Sequence, residues 1–236
     1  KENERNKFKS EEYWTIEVEF LSQQKEKFQA ELYRINNKNL DKLSIINQIE
    51  AEKITDDLKS ADFFIKDITE KIVKRTPPPP FITSTLQQEA SKKLHFSAKQ
   101  TMMLAQKLYE GIDFGKGSIG LITYMRTDSV ILSEEALEKA KTIINNKFGE
   151  KYYCHRQYKN KSRLAQEAHE AIRPTDPAIF PNEIKDKIDD KLYKLYNLIW
   201  ERFIASQMTD LQLKKLIVEI EGKTQKQNYG LKTIGS

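Results

Sequence analysis

The sequence predicts an α+β multidomain protein in which a helical domain is inserted between two halves of a β-rich domain. Three observations predict it. Near both ends of the chain, apolar residues alternate with polar ones, as in half-buried strands. Between them the apolar spacing becomes that of amphipathic helices. A run of four prolines, Pro77-Pro78-Pro79-Pro80, separates the first texture from the second. The expected division is 1–76 for the first β half, 77–208 for the helical domain and 209–236 for the start of the second β half.

In order, Trp14, Ile16, Val18 and Phe20 alternate with Thr15, Glu17 and Glu19, which reads as an antiparallel strand with one wet face. Phe28, Ala30 and Leu32 repeat the pattern after a polar link, so a hairpin is expected. Residues 44–60 carry Ile45, Ile49, Ile54 and Leu58 near helical spacing. Residues 63–73 are rich in β-branched side chains and read as a strand that the prolines stop. The prolines read as a stiff connector; a proline-rich ligand for a binding module is set aside because an organised segment follows at once.

Beyond the prolines, Thr83-Ser84-Thr85 offers N-caps, with Gln87 and Gln88 placed to complete a capping box, and Leu86, Ala90 and Leu94 share a face. Ser97 with Gln100 repeats the device before Met103, Leu104 and Leu108, and Gly111 ends that helix. Four of the eight glycines lie in 111–120 and predict a flexible loop. Ser133-Glu134-Glu135 starts another helix, with acids suited to its dipole and a stripe of Leu137, Ala140, Ile144 and Phe148. Residues 182–208 read as a long helix with Leu192, Leu195, Ile199 and Phe203 inward. Leu216, Val218 and Ile220 return to alternation.

Composition bounds the function. The 236 residues are 38% hydrophobic and 32% charged, which suits a soluble globular protein with room for one large or two modest cores. A net charge of +5 and a pI near 9.0 tilt the expected partners toward nucleic acid or another polyanion. The single cysteine, Cys154, excludes an internal disulfide framework and a cysteine-cluster zinc site, and suits a reducing, cytoplasmic setting. No apolar run reaches the ~18–20 residues needed to span a bilayer, so no membrane partner is expected. The absence of a starting methionine and the polar tail point to a piece of something longer.

The chemistry centres on Gly120-Leu121-Ile122-Thr123-Tyr124-Met125-Arg126-Thr127-Asp128-Ser129. Read as an extended segment, it sends Tyr124, Arg126 and Asp128 to one face, with successive ones roughly 6–7 Å apart. A tyrosine hydroxyl can attack phosphorus, and a nearby guanidinium can hold the oxygens as charge builds. A phenol with an ordinary pKa of about 10 is mostly neutral at pH 7, so such an attack needs a cation or base beside it. Ten tyrosines occur in the chain, so Tyr-x-Arg alone also describes ordinary surface.

Residues 151–163 hold Lys151, Arg156, Lys159, Lys161 and Arg163 among Tyr152, Tyr153 and Tyr158, with no acid. The stretch reads either as a surface for single-stranded nucleic acid, with cations on phosphates and rings on bases, or as a solvated loop. The next motif is Gln166-Glu167-Ala168-His169-Glu170-Ala171-Ile172-Arg173-Pro174. On a helix, His169 and Arg173 would share a face, suited to phosphate binding or proton transfer; a structural histidine is the other reading. A zinc-protease motif is rejected because Arg173 stands where a second histidine is required.

Taken together, Pro80-Phe81-Ile82-Thr83-Ser84-Thr85-Leu86-Gln87-Gln88, Thr101-Met102-Met103-Leu104-Ala105-Gln106, the Tyr124 motif and Glu167–Pro174 resemble, in this order, the type IA DNA topoisomerases of bacteria. The likeness extends more loosely over nearly the whole chain. It implies that Tyr124 cleaves one DNA strand and holds its 5′-phosphate, that Arg126 stabilises the scissile phosphate and that His169 assists. Thr83, Ser84, Gln87, Thr127, Asp128 and Arg173 would line the DNA site. The flanking β segments would belong to an arch, and the helical domain would swing away so that a strand can pass and negative supercoils relax without ATP.

The implied partners are DNA, especially single-stranded, and the remainder of the same polypeptide. The family's acidic metal-binding domain, which uses Mg²⁺, precedes this region, so this stretch alone is not expected to relax DNA. Asp56-Asp57 and Asp189-Asp190 do not replace it, no metal ligands are expected here, and the 111–120 loop is longer than in the best-known members. A tyrosine recombinase or relaxase is the rival enzyme reading; it would need several scattered Arg/His partners or a histidine cluster, and the chain has three dispersed histidines. A non-catalytic single-strand-binding module built on 151–163 is the other alternative.

Overall fold

The computed structural model describes residues 2, 11–22, 24–114, 117–159 and 169–235. The chain forms two compact units, Lys1–Lys74 with Gln212–Ser236, and Arg75–Leu211. Strands β1 (Glu17–Leu21) and β2 (Lys27–Ile35) form the hairpin that the alternation predicts, with Val18 opposite Ala30 and Phe20 opposite Phe28. The short β3 (Lys38–Asn39) folds back on β2. Trp14 departs from the expected inward set at 38% exposure, because it precedes the paired part of the strand.

Helix α1 (Gln48–Leu58) is shorter than the predicted 44–60 and starts from Asn47, whose side chain accepts the Glu50 N–H at 2.9 Å. Ala51, Ile54 and Leu58 are its buried residues, whereas Ile49 is 80% exposed. Ile49 stands five positions from Ile54, about 140° around the helix, and cannot share its face. Strand β4 (Asp62–Arg75) then runs as an edge strand up to the prolines.

The second unit follows with α2 (Thr83–Leu94) and α3 (Ala98–Glu110). Two-residue strands β5 (Ile112–Asp113) and β6 (Ser118–Ile119) then pair in the glycine-rich stretch read as a flexible loop. Helices α4 (Glu134–Lys147), α5 (Pro181–Ile184) and α6 (Asp190–Ser206) complete the unit. The predicted 182–208 helix is thus divided, since residues 185–187 form a 3₁₀ turn and Asp189 caps α6 by accepting the Lys191 N–H. Leu86, Leu104, Leu108, Leu137, Ile144, Leu195, Ile199 and Phe203 meet in one core that also includes Leu121, Ile122 and Met125.

Strands β7 (Leu211–Lys223) and β8 (Asn228–Gly235) return to the first unit. The sheet order β1-β2-β8-β7-β4 inserts them between the early strands. Its core gathers Ile16, Leu32, Ile54, Leu58, Ile220, Tyr229 and Leu231. Among the described residues no helix is long and apolar enough to cross a membrane.

Candidate active site

The Tyr124 stretch is not a strand. Its one ladder contact is the bridge between Ile122 and Pro174, and the backbone bends at Thr123, Met125 and Arg126. The exposure nevertheless alternates: Tyr124, Arg126 and Asp128 face out, while Met125, Thr127 and Ser129 are buried. The burial of every second side chain in the helical core preserves the alternation that sheet pairing was expected to provide.

Three segments hold this loop. At its start, the Leu121 N–H donates to the Leu108 carbonyl at the end of α3 (2.7 Å). Alongside it runs 169–175: the Thr123 N–H donates to the Arg173 carbonyl (2.9 Å), and the Thr123 hydroxyl to that of Ala171 (2.7 Å). The third is the start of α2. The Thr83 hydroxyl donates to the Met125 carbonyl (2.8 Å) and accepts the Thr127 N–H (3.0 Å), while the Thr83 N–H donates to the Thr127 carbonyl (2.9 Å). The predicted capping box is not used. Thr83 is already helical, and the Thr85 hydroxyl closes the first turn by accepting the Ile82 N–H (3.0 Å).

Residues 169–175 are extended and bridge to Phe81 and Ile122, so the helix expected to align His169 with Arg173 is absent. The Ile172 N–H donates to the Phe81 carbonyl (2.8 Å), and Pro174 favours an extended residue before it. His169 and Arg173 therefore separate. Arg173 pairs with Glu170 (2.6 Å) and donates to the Pro174 carbonyl (2.8 Å). Glu170 in turn accepts the Ser133 N–H (2.8 Å), which ties this segment to the start of α4.

One cleft of about 370 Å³ results, walled by Ile82, Thr83, Ser84, Arg126, Thr127, Asp128 and His169. The N-terminus of α2 opens on it, adding the positive end of a helix dipole to the Arg126 guanidinium. Tyr124 stands beside it, 39% exposed, with its ring centroid 5.9 Å from that of His169. Arg173 and Gln87 are not among the walls. Thr83 and Thr127 line the cleft but use their hydroxyls internally, the latter accepting the Ser129 N–H (3.0 Å). Ser84 and Asp128 face solvent there. Two residues that sequence reasoning missed shape the site. Glu170 orders the 169–175 segment, and Tyr109 packs edge-on against Tyr124 at 5.5 Å.

The basic, aromatic stretch resolves differently. Arg156 pairs with Asp210 (2.6 Å) and donates to the Met208 carbonyl, and the Tyr158 hydroxyl donates toward the Pro77 and Ser206 carbonyls (both 3.1 Å). Tyr153 bridges to Met208. Arg156, Tyr153 and Tyr158 thus form a structural latch, whereas Lys151, Tyr152 and Lys159 face solvent. Lys161, Arg163 and 166–168 lie outside the described residues.

A phenol, a guanidinium, an imidazole and a helix N-terminus thus stand at or beside one cleft. A family model described as DNA topoisomerase matches residues 1–235. The chain belongs to that DNA topoisomerase family. It is 53% identical over 213 residues to DNA topoisomerase 1 of Rickettsia bellii (strain RML369-C), covering 89% of this chain and 27% of that protein. Against DNA topoisomerase 1 of Rickettsia felis (strain ATCC VR-1525 / URRWXCal2) identity is 48% over 238 residues, covering 100% of this chain and 30% of the relative. The structure of full-length topoisomerase I from Thermotoga maritima superposes with a TM-score of 0.72 at 34% identity, covering 99% of this chain and 35% of that one. The chain thus spans less than a third of its curated relatives.

The family is consistent with a Mg²⁺ requirement, but the residues described here do not fit such a site. No three His, Cys, Asp or Glu side chains among them are grouped to hold a metal. Both acidic pairs have other partners: Asp57 accepts the Tyr229 and Thr224 hydroxyls, Asp56 pairs with Lys59, Asp189 caps α6 and Asp190 pairs with Lys194.

Proposed function

We propose that this chain carries the strand-cleaving tyrosine of a type IA DNA topoisomerase. The observation that carries the reading is the exposed Tyr124 ring set against His169, at the edge of a cleft where Arg126 and the N-terminus of α2 converge. A DNA phosphate in that cleft would place its non-bridging oxygens against Arg126, Ser84 and the first turn of α2. The Tyr124 hydroxyl oxygen attacks phosphorus, its bond to phosphorus forms and the P–O3′ bond breaks. The phenolic proton ends on the departing 3′-oxygen, and His169 assists; its ring centroid lies 5.9 Å from that of Tyr124. The product is a 5′-phosphotyrosyl ester and a free 3′-hydroxyl.

Arg126 offsets the charge that develops on the phosphoryl oxygens, which is where a fixed cation contributes most. The ester keeps the energy of the broken bond, so reversal reseals the strand without ATP. On this reading the Arg75–Leu211 unit is the movable body bearing the tyrosine, and the sheet unit is part of the arch from which it swings. Single-stranded DNA is the preferred substrate, because the strand must bend into a cleft beside an exposed ring. The isolated chain does not relax DNA, since it spans less than a third of the enzymes it resembles.

The test is covalent capture. The full-length polypeptide carrying this chain is incubated with Mg²⁺ and an internally labelled single-stranded oligonucleotide, then denatured. The expected result is a protein adduct on the 5′-phosphate side, absent in Tyr124→Phe. An adduct that survives Tyr124→Phe, or one on a 3′-phosphate as a tyrosine recombinase makes, overturns the proposal.

A further inference from the structure

The loop that bears Tyr124 is docked on the last turn of α3. Burial of Thr101, Leu104, Ala105 and Leu108 along the inner face of that helix leaves Tyr109 at its edge, 41% exposed. Gly111, at φ +117°, ends the helix, and the β5–β6 hairpin brings the chain straight back. The Leu121 N–H then meets the Leu108 carbonyl. Gly120 passes so close that a Cβ there would lie 2.7 Å from the Tyr109 carbonyl oxygen. Four residues further on, the Tyr124 ring meets the Tyr109 ring edge to face, with centroids 5.5 Å apart and planes at 67°. His169 lies at 5.9 Å from the Tyr124 ring and tilted by 42°.

We propose that Tyr109 is a positioning residue for Tyr124, holding the phenol ring in the orientation from which its oxygen reaches the phosphate. The inference rests on the reading of Tyr124 as the nucleophile. A ring more than one-third exposed would otherwise sample several staggered rotamers, and each misdirected one takes the nucleophile out of line. Contact with Tyr109 confines it through the edge-to-face preference of aromatic pairs, and the Gly120 and Leu121 contacts fix the backbone from which it projects. Tyr109 touches neither phosphate nor leaving group in this scheme. Its effect belongs to the rate of attack and not to the hold on DNA.

The experiment compares single-turnover cleavage with equilibrium binding of a single-stranded oligonucleotide, in the full-length polypeptide with Mg²⁺. Tyr109→Ala is expected to slow cleavage up to about tenfold, the loss of one aromatic pair, with Kd unchanged. Tyr109→Phe, which keeps the ring, restores most of the rate. Tyr109→Leu, which keeps apolar bulk without the ring, stays slow and supplies the result should the alanine variant fold poorly. Cleavage at the parent rate in Tyr109→Ala or Tyr109→Leu overturns the proposal. So does a Kd that weakens in step with the rate, which would make Tyr109 a base-stacking platform, and so does Tyr109→Phe as slow as the alanine variant. Tyr124→Phe is run alongside. An adduct in that lane removes the nucleophile assignment itself, whereas no adduct there together with unaffected Tyr109 variants sinks only this inference.

Discussion

Two stretches of the helical unit carry the same chemical vocabulary, tyrosines and arginines in a polar loop, and use it in opposite ways. In 120–131 backbone groups and threonine hydroxyls make the internal bonds, with Thr83 of α2 and with 171–173, and Tyr124 and Arg126 are left facing solvent. In 151–159 the side chains make them: Arg156 reaches Asp210 and the Met208 carbonyl, and Tyr158 reaches Pro77 and Ser206. The difference teaches that an arginine beside a tyrosine becomes available for chemistry only where something else satisfies the backbone and anchors the loop.

Exchanging the two arginines for alanine breaks the comparison most sharply. Arg126→Ala should reduce cleavage by the full-length enzyme on the order of 10²–10³-fold, the usual cost of removing one transition-state donor. It should leave the urea midpoint of this chain nearly unchanged, as for an exposed side chain. Arg156→Ala should do the reverse. Loss of a mostly buried cation that bonds a carboxylate and carbonyls costs about 1.5–3 kcal/mol of stability. Parallel urea titrations and cleavage assays check both. If Arg156→Ala weakened DNA binding without lowering the midpoint, the latch would be a DNA surface after all.

Tyr158→Phe is a smaller perturbation, expected to cost about 1 kcal/mol through the lost hydroxyl bonds, again seen in the urea midpoint. The same residue predicts the smallest effect, a dependence on alkaline pH. Burial raises the Tyr158 phenol above its ordinary value, against a lowering from nearby Arg156. A raised folded value means that the protonated form stabilises the fold fully below the unfolded pKa of about 10, and that this stability fades as pH climbs past it. Unfolding measured at about pH 8 and pH 10.5 should therefore show a shallower alkaline loss in Tyr158→Phe than in the parent. Equal slopes would remove the titration from this latch.

Much of the element pattern was legible because it rests on local periodicity. The first hairpin forms as predicted, with Val18 opposite Ala30 and Phe20 opposite Phe28, and Leu192, Leu195, Ile199 and Phe203 form the buried stripe of α6. The outward set Tyr124, Arg126 and Asp128 was read with the wrong backbone and the right alternation, since core burial at every second position mimics a strand. The His169–Arg173 pairing failed because helical spacing was assumed where Pro174 and bridges to Phe81 and Ile122 hold the chain extended. Gln87 stands three positions beyond Ser84 on α2 and is not among the walls of the cleft.

By itself the sequence determined the residue types of the site, the alternation of helical and β textures and the family, because each is written in short-range spacing and in ordered motifs. Tertiary structure decided which of those side chains remain available. The Thr83 and Thr127 hydroxyls, Arg173, Arg156 and Tyr158 are consumed by partners 3 to 81 positions away or more locally, as with Ser129 two positions from Thr127. The physical reason is that a polar group taken out of water must find a partner, and most of those partners are met only once the chain has folded.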